Sequence, residues 1–108
     1  MNIRKIDDRF AIAGQVQTDE VKKLAEDGFR AIICARPDNE DPDQPSFEAI
    51  ATIAQRFGMK AFHIPVTGQL SEGQIIQMEQ ALANTDGPII GYCRSGGRAG
   101  SLYQALAK

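Results

Sequence analysis

The sequence predicts an α/β fold in which a mostly parallel central sheet carries helices on both faces, so that the molecule has three layers. Short apolar runs typical of strands alternate with segments whose apolar residues recur at helical spacing. Glycine follows two of the predicted helices, at Gly28 and Gly58, as is common where a helix ends. A length of 108 residues suits one hydrophobic core, so residues 1–108 are expected to form a single domain.

The individual elements have recognisable start and stop signals. Thr18 and Ser46 are expected to cap helices, and Ser71 with Gln74 forms a capping box. Residues 36–45 contain three prolines among acidic side chains, which predicts a loop. The predicted order is a ribbon of strands over 3–6 and 10–13, a helix after Thr18, a strand over 29–35, a helix after Ser46, a strand over 60–66, a helix after Ser71, a strand over 89–93 and a closing helix. Because the strand over 89–93 is apolar throughout, it is expected to be central.

The loop after this strand combines a thiol, two arginines and two glycines within six residues. In a strand-to-helix turn, successive backbone N–H groups can converge on one point, and glycine permits the conformations this requires. These N–H groups and the nearby positive charge favour thiolate over thiol, so Cys93 is predicted to be a nucleophile. The predicted catalytic residues are Cys93 and Arg98, and the predicted anion-binding residues are Arg94, Ser95, Gly96, Gly97 and Arg98.

The sequence of the loop also allows two simpler interpretations. A cysteine after an apolar strand is often a small buried side chain, and a glycine-rich turn can bind a nucleotide phosphate. However, these glycines do not fit the pattern G-x-x-x-x-G-K-[ST], and packing alone does not explain a thiol beside two arginines. The nucleophile is therefore the favoured hypothesis.

Residues 93–98, Cys-Arg-Ser-Gly-Gly-Arg, resemble the six-residue active-site loop of rhodanese-type sulfurtransferases. Four further segments come in a familiar order: Asp-Arg-Phe at 8–10, Gly-Gln at 14–15, Arg-Pro-Asp at 36–38 and His-Ile-Pro-Val-Thr-Gly at 63–68. Together they resemble the phosphatase-like domain first named from beta-lactamase-hydrolase-like proteins. This resemblance implies a fold like that of the cysteine phosphatases and a loop like that of rhodanese.

The resemblance leaves the chemistry open between sulfur transfer and phosphate hydrolysis. The loop is one residue shorter than that of cysteine phosphatases, which suits a persulfide sulfur better than a phosphoryl group with three equatorial oxygens. Thr67 stands where dual-specificity phosphatases usually carry an acidic aspartate, and Ala99 where they carry Ser or Thr. We therefore expect a sulfurtransferase first, with a small sulfur donor and a thiol acceptor, and a phosphatase acting on a phosphorylated substrate as the alternative.

The phosphatase alternative requires a general acid from elsewhere in the chain. Four side chains of the loop over 36–45 are candidates, although each is more simply explained as a solvated acid: Asp38, Glu40, Asp41 and Asp43. A third hypothesis is a non-catalytic module that binds an oxyanion, which would need the N–H groups and arginines but not the thiol.

Other residues receive accessory or structural predictions. Arg36 ends a strand beside the site and contacts either the site or the acidic loop, and Cys34 is expected to be packing, with a resolving thiol as the alternative. His63 and Tyr92 are expected to be structural. With one histidine and two separated cysteines, no metal site and no cofactor are expected.

The overall composition limits the kinds of partner. The formal net charge of −2 predicts no nucleic-acid or anionic-membrane surface. No apolar run is long enough for a bilayer, and the first residues lack the apolar segment of a signal peptide. Two cysteines without a targeting segment predict a cytoplasmic protein.

Overall fold

A computed structural model describes residues 2–106, and Met1, Ala107 and Lys108 lie outside the described residues. The described part folds into five strands and four α-helices. In chain order these are β1 (Ile3–Lys5), β2 (Phe10–Ala13), a short 3-10 turn (Thr18–Glu20), α1 (Val21–Glu26), β3 (Ala31–Cys34), α2 (Phe47–Arg56), β4 (Lys60–His63), α3 (Glu72–Ala83), β5 (Ile89–Tyr92) and α4 (Gly97–Gln104).

The five strands form one sheet in the order β1-β2-β5-β3-β4. Only β1 is antiparallel to its neighbour, whereas the other pairs are parallel. The predicted central position of the last strand is confirmed, because β5 lies between β2 and β3 and all four of its residues are buried. The ends of four parallel strands therefore meet at one edge of the sheet.

Helices cover both faces of the sheet, as the three-layer prediction requires. Buried residues of α3 and α4, among them Met78 and Leu102, pack on the face that carries Ile89 and Cys93. Buried residues of α1 and α2 pack on the other face, which carries Cys34 and Tyr92. The strands β2, β3 and β5 contribute alternate side chains to the two cores, as the pleat dictates, whereas the three residues of β1 are exposed.

The observed element bounds differ from the predictions at one helix cap and at several strand ends, and the strands predicted over 3–6 and 89–93 each end one residue earlier. Thr18 is not the N-cap: that position belongs to Gln17, whose N–H is bound by the Glu20 carboxylate at 2.8 Å. The strands predicted over 29–35 and 60–66 are shorter, but backbone pairing continues beyond them through Ala35 N–H to the Tyr92 carbonyl (2.8 Å) and Val66 N–H to the Ala35 carbonyl (3.0 Å).

The last helix is fixed to the ribbon at the start of the chain. The Tyr103 hydroxyl donates to Asp7 Oδ2 at 2.7 Å, and the rings of Phe10 and Tyr103 stack with centroids 4.3 Å apart. Gly91 allows this close packing, since a Cβ there would lie 2.6 Å from Phe10 Cζ and 3.1 Å from Ala99 Cβ. The start of α4 is thereby held directly against β5.

Candidate active site

Cys93 follows the last residue of β5, at the edge where the parallel strands end. Tyr92 pairs in register with Ala13 of β2 and Cys34 of β3, so the chain leaving each of these strands passes beside Cys93. Gly14 follows β2 and lies so close to the loop that a Cβ would stand 3.0 Å from the Arg94 carbonyl oxygen. The sheet topology therefore brings the ends of three strands around one thiol.

The Cys93 loop turns its backbone donors toward the sulfur. Gly96 has φ of 97°, a conformation that residues with a Cβ rarely adopt, and it stands at the N-cap of α4. From there its N–H donates to Cys93 Sγ at 3.0 Å. The predicted strand, turn and helix start are confirmed, with the thiol at the first position of the turn.

The pKa of Cys93 is lowered from its ordinary value. Burial alone raises the pKa of this thiol, but the backbone N–H groups of Ala99, Ser95, Arg98 and Gly96 together outweigh the burial. Hydrogen bonds to the charged form favour that form, and they act here on a sulfur in a residue only 1% exposed. The donors of the loop therefore favour the thiolate of Cys93 over its thiol.

Arg98 is held on one edge of its guanidinium. Nη1 and Nη2 donate to the two oxygens of Glu40 at 2.8 and 2.9 Å, and Nη1 also donates to the Val66 carbonyl at 3.0 Å. Arg98 also interacts with Cys93, which contributes to raising the pKa of the guanidinium after the larger effect of Glu40. The side chain thus bridges the acidic loop and the thiol.

Arg36 is a buried cation that anchors the acidic loop. The residue is 2% exposed, and each of its three nitrogen atoms donates to a different side chain. Its partners are Glu40 at 2.8 Å, Gln15 at 2.8 Å and Asp41 at 2.6 Å. Since Glu40 also binds Arg98, one carboxylate joins the buried arginine to the loop arginine. Hydrogen bonds from Arg98 and Arg36 lower the pKa of Glu40 to about 2.

The acidic loop also holds itself together. The Gln44 amide donates to the Pro37 carbonyl at 2.9 Å and accepts from the Glu40 N–H at 3.2 Å, while Asn39 takes a positive φ of 67°. The Asp38 carboxylate accepts from the Phe47 N–H at 2.8 Å, which makes it a cap of α2. In this arrangement the Asp38 carboxylate is engaged by the start of α2, and its accessory role as an acid over the thiol stays a prediction.

Arg94 lies at the exposed rim of the loop. Its side chain is 69% exposed, and its Nη2 lies 3.7 Å from Asp41 Oδ2. The lowering of the Cys93 pKa is therefore carried chiefly by the backbone donors of the loop, because these are its main favourable causes. Thr67 is exposed and follows Val66, whose carbonyl binds Arg98.

Cys34 lies on the face of the sheet opposite to Cys93. Its Sγ–H donates to the Arg36 carbonyl at 3.2 Å, and burial raises its pKa despite this bond and the nearby Tyr92 hydroxyl. The side chains of Cys34 and Cys93 belong to separate core clusters on opposite faces of the sheet, and both thiols are free. The burial of Cys34 in its own cluster fits the packing role, and the resolving-thiol alternative stays a prediction.

His63 has the structural hydrogen bond that was predicted. Its Nε2 lies 2.9 Å from the Arg36 carbonyl oxygen, and its ring stacks on Phe47 with centroids 4.6 Å apart. A carbonyl only accepts, so Nε2 carries a proton. His63 and Cys34 thus both hold the backbone of Arg36, whose side chain anchors the acidic loop.

Two grooves flank the Cys93 loop. One of about 570 Å³ is lined by Val66, Gly68, Gln69, Leu70, Ser95, Gly97, Arg98 and Ser101. The other, of about 290 Å³, is lined by Asn2, Gly14, Gln15, Arg94 and Ser95. The sequence interpretation missed Gln15 as a site residue, although its position directly after a strand that ends at the same edge was a usable signal.

Neither a candidate metal site nor a candidate membrane-spanning helix is found among the described residues. Within residues 2–106, no three side chains of the His, Cys, Asp or Glu types come together in a metal-binding arrangement. In the same residues, no helix has both the length and the apolar composition needed to span a bilayer.

A family model described as the phosphatase-like domain of Beta-lactamase hydrolase-like protein matches residues 2–107. The chain belongs to this family. Curated relatives named Beta-lactamase hydrolase-like protein share 41% identity in Xylella fastidiosa and 38% in Agrobacterium fabrum, each over 104 residues and 95% of this chain. The chain spans about a quarter of their length, 24% in each case.

Solved structures with the same fold include several phosphatases. A protein of Neisseria meningitidis, provisionally named a phosphatase, is 31% identical and has a TM-score of 0.84 over 95% of this chain and 74% of its own. The core catalytic domain of a PP-IP phosphatase from S. cerevisiae has a TM-score of 0.72 at 15% identity, over 99% of this chain and 65% of its own. The predicted family and cysteine phosphatase-like fold are confirmed.

The expectation of a phosphatase-like enzyme domain is confirmed at the level of the family. The ranking within that expectation is not supported, because these matches favour the phosphatase alternative over the sulfurtransferase placed first. The physical arguments for sulfur transfer, from the loop length and from Thr67, address the finer chemistry.

Proposed function

We propose that this domain is a cysteine-dependent phosphatase that acts through a covalent phosphoryl intermediate on Cys93. The observation that carries the proposal is the thiol of lowered pKa at the start of α4, with the Gly96 N–H donating to its sulfur at 3.0 Å. The family and the 31% identical N. meningitidis protein support phosphate chemistry at this thiol.

The reaction follows from the arrangement of donors around the sulfur. The Cys93 thiolate attacks phosphorus, an S–P bond forms, and the P–O bond to the leaving group breaks with its electron pair on oxygen. The N–H groups of Ser95, Gly96, Arg98 and Ala99, together with the guanidinium of Arg98, face the charge that develops on the phosphoryl oxygens. Water then attacks phosphorus, the S–P bond breaks, and phosphate leaves with Cys93 again a thiolate.

The remaining predicted residues have supporting roles in this proposal. Ser95, Gly96 and Gly97 shape the loop that receives the phosphoryl oxygens, with Arg98 beside it and Arg94 at its exposed rim. Arg36 binds the two carboxylates of the neighbouring loop and so determines where Glu40 holds Arg98.

Sulfur transfer is the second candidate, favoured by the spacing of Cys93 and Arg98. The loop has one residue fewer than that of cysteine phosphatases, and a persulfide needs fewer donors than a phosphoryl group. In this case a Cys93 persulfide forms on attack at a sulfane sulfur, and a second thiol accepts the sulfur.

One experiment separates the two candidates. Wild type and Cys93→Ser are supplied in parallel with an aryl phosphate, thiosulfate and glutathione persulfide, quenched in denaturant, and weighed intact by mass spectrometry. The proposal expects a phosphoryl adduct on Cys93 with the aryl phosphate and none in Cys93→Ser. An adduct of sulfur alone would establish the second candidate, and a protein that binds phosphate without any adduct would be a non-catalytic module.

A further inference from the structure

The groove beside Arg98 is where a leaving group can pass from the Cys93 loop. It opens beside the loop and is lined by backbone, amide, hydroxyl and aliphatic groups together with one guanidinium. The second groove is lined by amides, a hydroxyl, glycine and Arg94. No carboxyl or imidazole group among residues 2–106 lines either groove.

None of the four acidic residues of the loop over 36–45 lines either groove. Glu40 is bound by Arg98 and Arg36, and its pKa of about 2 keeps it ionised. Asp41 accepts from Arg36 at 2.6 Å and lies 3.7 Å from Arg94 Nη2. The Asp38 carboxylate accepts from the Phe47 N–H, and Asp43 is exposed to solvent.

Two other side chains are also unsuited to donate a proton into the groove. The Nε2–H of His63 is engaged in a hydrogen bond to the Arg36 carbonyl, and Thr67 carries only a hydroxyl. A hydroxyl does not release a proton at neutral pH, so the arrangement presents no protonated acid to a leaving oxygen.

A leaving oxygen differs greatly in its need for a proton. An alkoxide is about as basic as hydroxide, whose conjugate acid has a pKa of about 15.7, so its departure requires protonation. A phosphate leaving group, with a pKa of about 6, departs as a stable anion. Acyl and acidic aryl oxygens resemble the phosphate in this respect.

We infer that the domain acts on phosphoryl groups bonded to weakly basic leaving groups, such as phosphoanhydrides and acyl phosphates, and not on alkyl phosphate monoesters. The inference rests on the proposed phosphatase function and names its substrate class. Cys93 forms the S–P bond, the electron pair of the broken P–O bond stays on the leaving oxygen, and that oxygen departs unprotonated. Water later releases phosphate and gives its proton to solvent.

The test is a leaving-group series. Aryl phosphates whose phenols span pKa values from about 4 to about 10 are compared by kcat/KM and by the rate of Cys93 phosphorylation, alongside acetyl phosphate, tripolyphosphate and glycerol phosphate. We expect a steep fall in rate as the phenol pKa rises, and turnover of acetyl phosphate or tripolyphosphate. The rate of glycerol phosphate hydrolysis should not exceed that of Cys93→Ser. Turnover of acetyl phosphate would indicate acyl phosphates as the substrate class, and turnover of tripolyphosphate would indicate phosphoanhydrides.

Asp41→Asn supplies a matched variant, because Asp41 is a carboxyl of the loop beside the site for which no hydrogen bond with Arg98 is found. The slope against phenol pKa is expected to be the same as in wild type, whatever happens to the absolute rates. A steeper slope in Asp41→Asn, or efficient turnover of glycerol phosphate by wild type, overturns the inference and leaves the phosphatase proposal intact. A series in which no member phosphorylates Cys93 overturns both.

Discussion

Cys34 and Cys93 lie at the ends of neighbouring parallel strands and are almost equally buried, at 2% and 1% exposure. Their surroundings nevertheless shift the pKa values of the two thiols in opposite directions. The sulfur of Cys93 accepts a hydrogen bond from the Gly96 N–H, and the pKa of Cys93 is lowered. The Cys34 thiol instead donates to the Arg36 carbonyl, and its pKa is raised, chiefly by burial. Burial is common to both thiols, so the direction of the hydrogen bond distinguishes the thiol whose pKa is lowered from the thiol whose pKa is raised.

The strand pleat explains why the two thiols meet such different surroundings. Cys34 pairs in register with Tyr92, so the next residue, Cys93, points to the other face of the sheet. On that face α4 begins and presents backbone N–H groups that have no partner within the helix. On the other face the Cys34 thiol instead meets the backbone carbonyl of Arg36. One residue of offset therefore separates a catalytic candidate from a core side chain.

The largest expected difference between the two cysteines is in turnover. Cys93→Ser should lower the hydrolysis of an activated aryl phosphate by more than about 1,000-fold, since an alcohol replaces the thiolate nucleophile. Cys34→Ala should keep the rate within about threefold, because Cys34 packs in the core cluster on the other face of the sheet and its thiol donates to a backbone carbonyl. Steady-state kinetics on both purified variants makes the comparison, which breaks down if Cys34→Ala is as inactive as Cys93→Ser.

The next difference concerns alkylation. Because its pKa is lowered, Cys93 should react with iodoacetamide at a pH well below that needed by a free thiol, which has a pKa of about 8.5. Cys34 should remain unmodified in the folded protein across the same range. Peptide mapping after timed alkylation measures both, and equal labelling of the two cysteines would contradict the contrast between them.

A third prediction tests the backbone donor itself. Gly96→Ala places a Cβ on a residue with φ of 97°, about 3.4 Å from the Ala13 carbonyl, at a cost of about 1–2 kcal/mol. The displaced N–H should raise the pKa of Cys93 and shift its alkylation profile to higher pH. Gly28→Ala is the control, since Gly28 has φ of 100° but ends α1, far along the chain from the loop. An unshifted alkylation profile in Gly96→Ala would mean that other donors suffice.

The smallest effect should appear in stability as a function of pH. Since the folded-state pKa of Cys34 is raised, its contribution is complete below the unfolded value of about 8.5 and is lost as pH rises toward the folded value. For Cys93 the folded-state pKa is lowered, so its contribution is present above about 8.5 and is lost as pH falls through the folded value.

This difference can be measured by urea unfolding at several pH values. Relative to Cys34→Ala, wild type should lose stability as pH rises, whereas relative to Cys93→Ala it should gain stability, in each case by at most about 1.4 kcal/mol per pH unit. Slopes of the same sign for the two pairs would show that the two thiols do not differ as described.

Much of the fold could be predicted because the sequence carries its own boundaries. The apolar runs are short, and glycines stand where helices end, so the alternation of strands and helices is visible without any tertiary information. The cap at Gln17 was missed because glutamine has no strong preference for that position, and because the hydrogen bond there runs from the Gln17 backbone N–H to the Glu20 carboxylate.

The site was predictable where it is local and not where it depends on register. The residues of the loop from Cys93 to Arg98 are contiguous, so their convergence followed from glycine positions and the helix start. The separation of Cys34 from Cys93 required the pairing register, and a shift by one residue would have placed both thiols on one face. The choice of Glu40 among four acids depended on the fold of a loop held by Gln44 and Asn39, which no periodic pattern specifies.

The pairing of Glu40 and Asp41 with the arginines has a consequence for how ligands arrive. The positive charges of Arg36, Arg94 and Arg98 face these two carboxylates, and in the thiolate state of Cys93 that the proposed reaction requires the cluster as a whole carries no net charge. A neutral cluster exerts little long-range attraction on an anion, and the whole chain carries a formal charge of −2. The association rate of an anionic substrate should therefore change little with ionic strength, and its capture should depend on short-range contacts inside the loop.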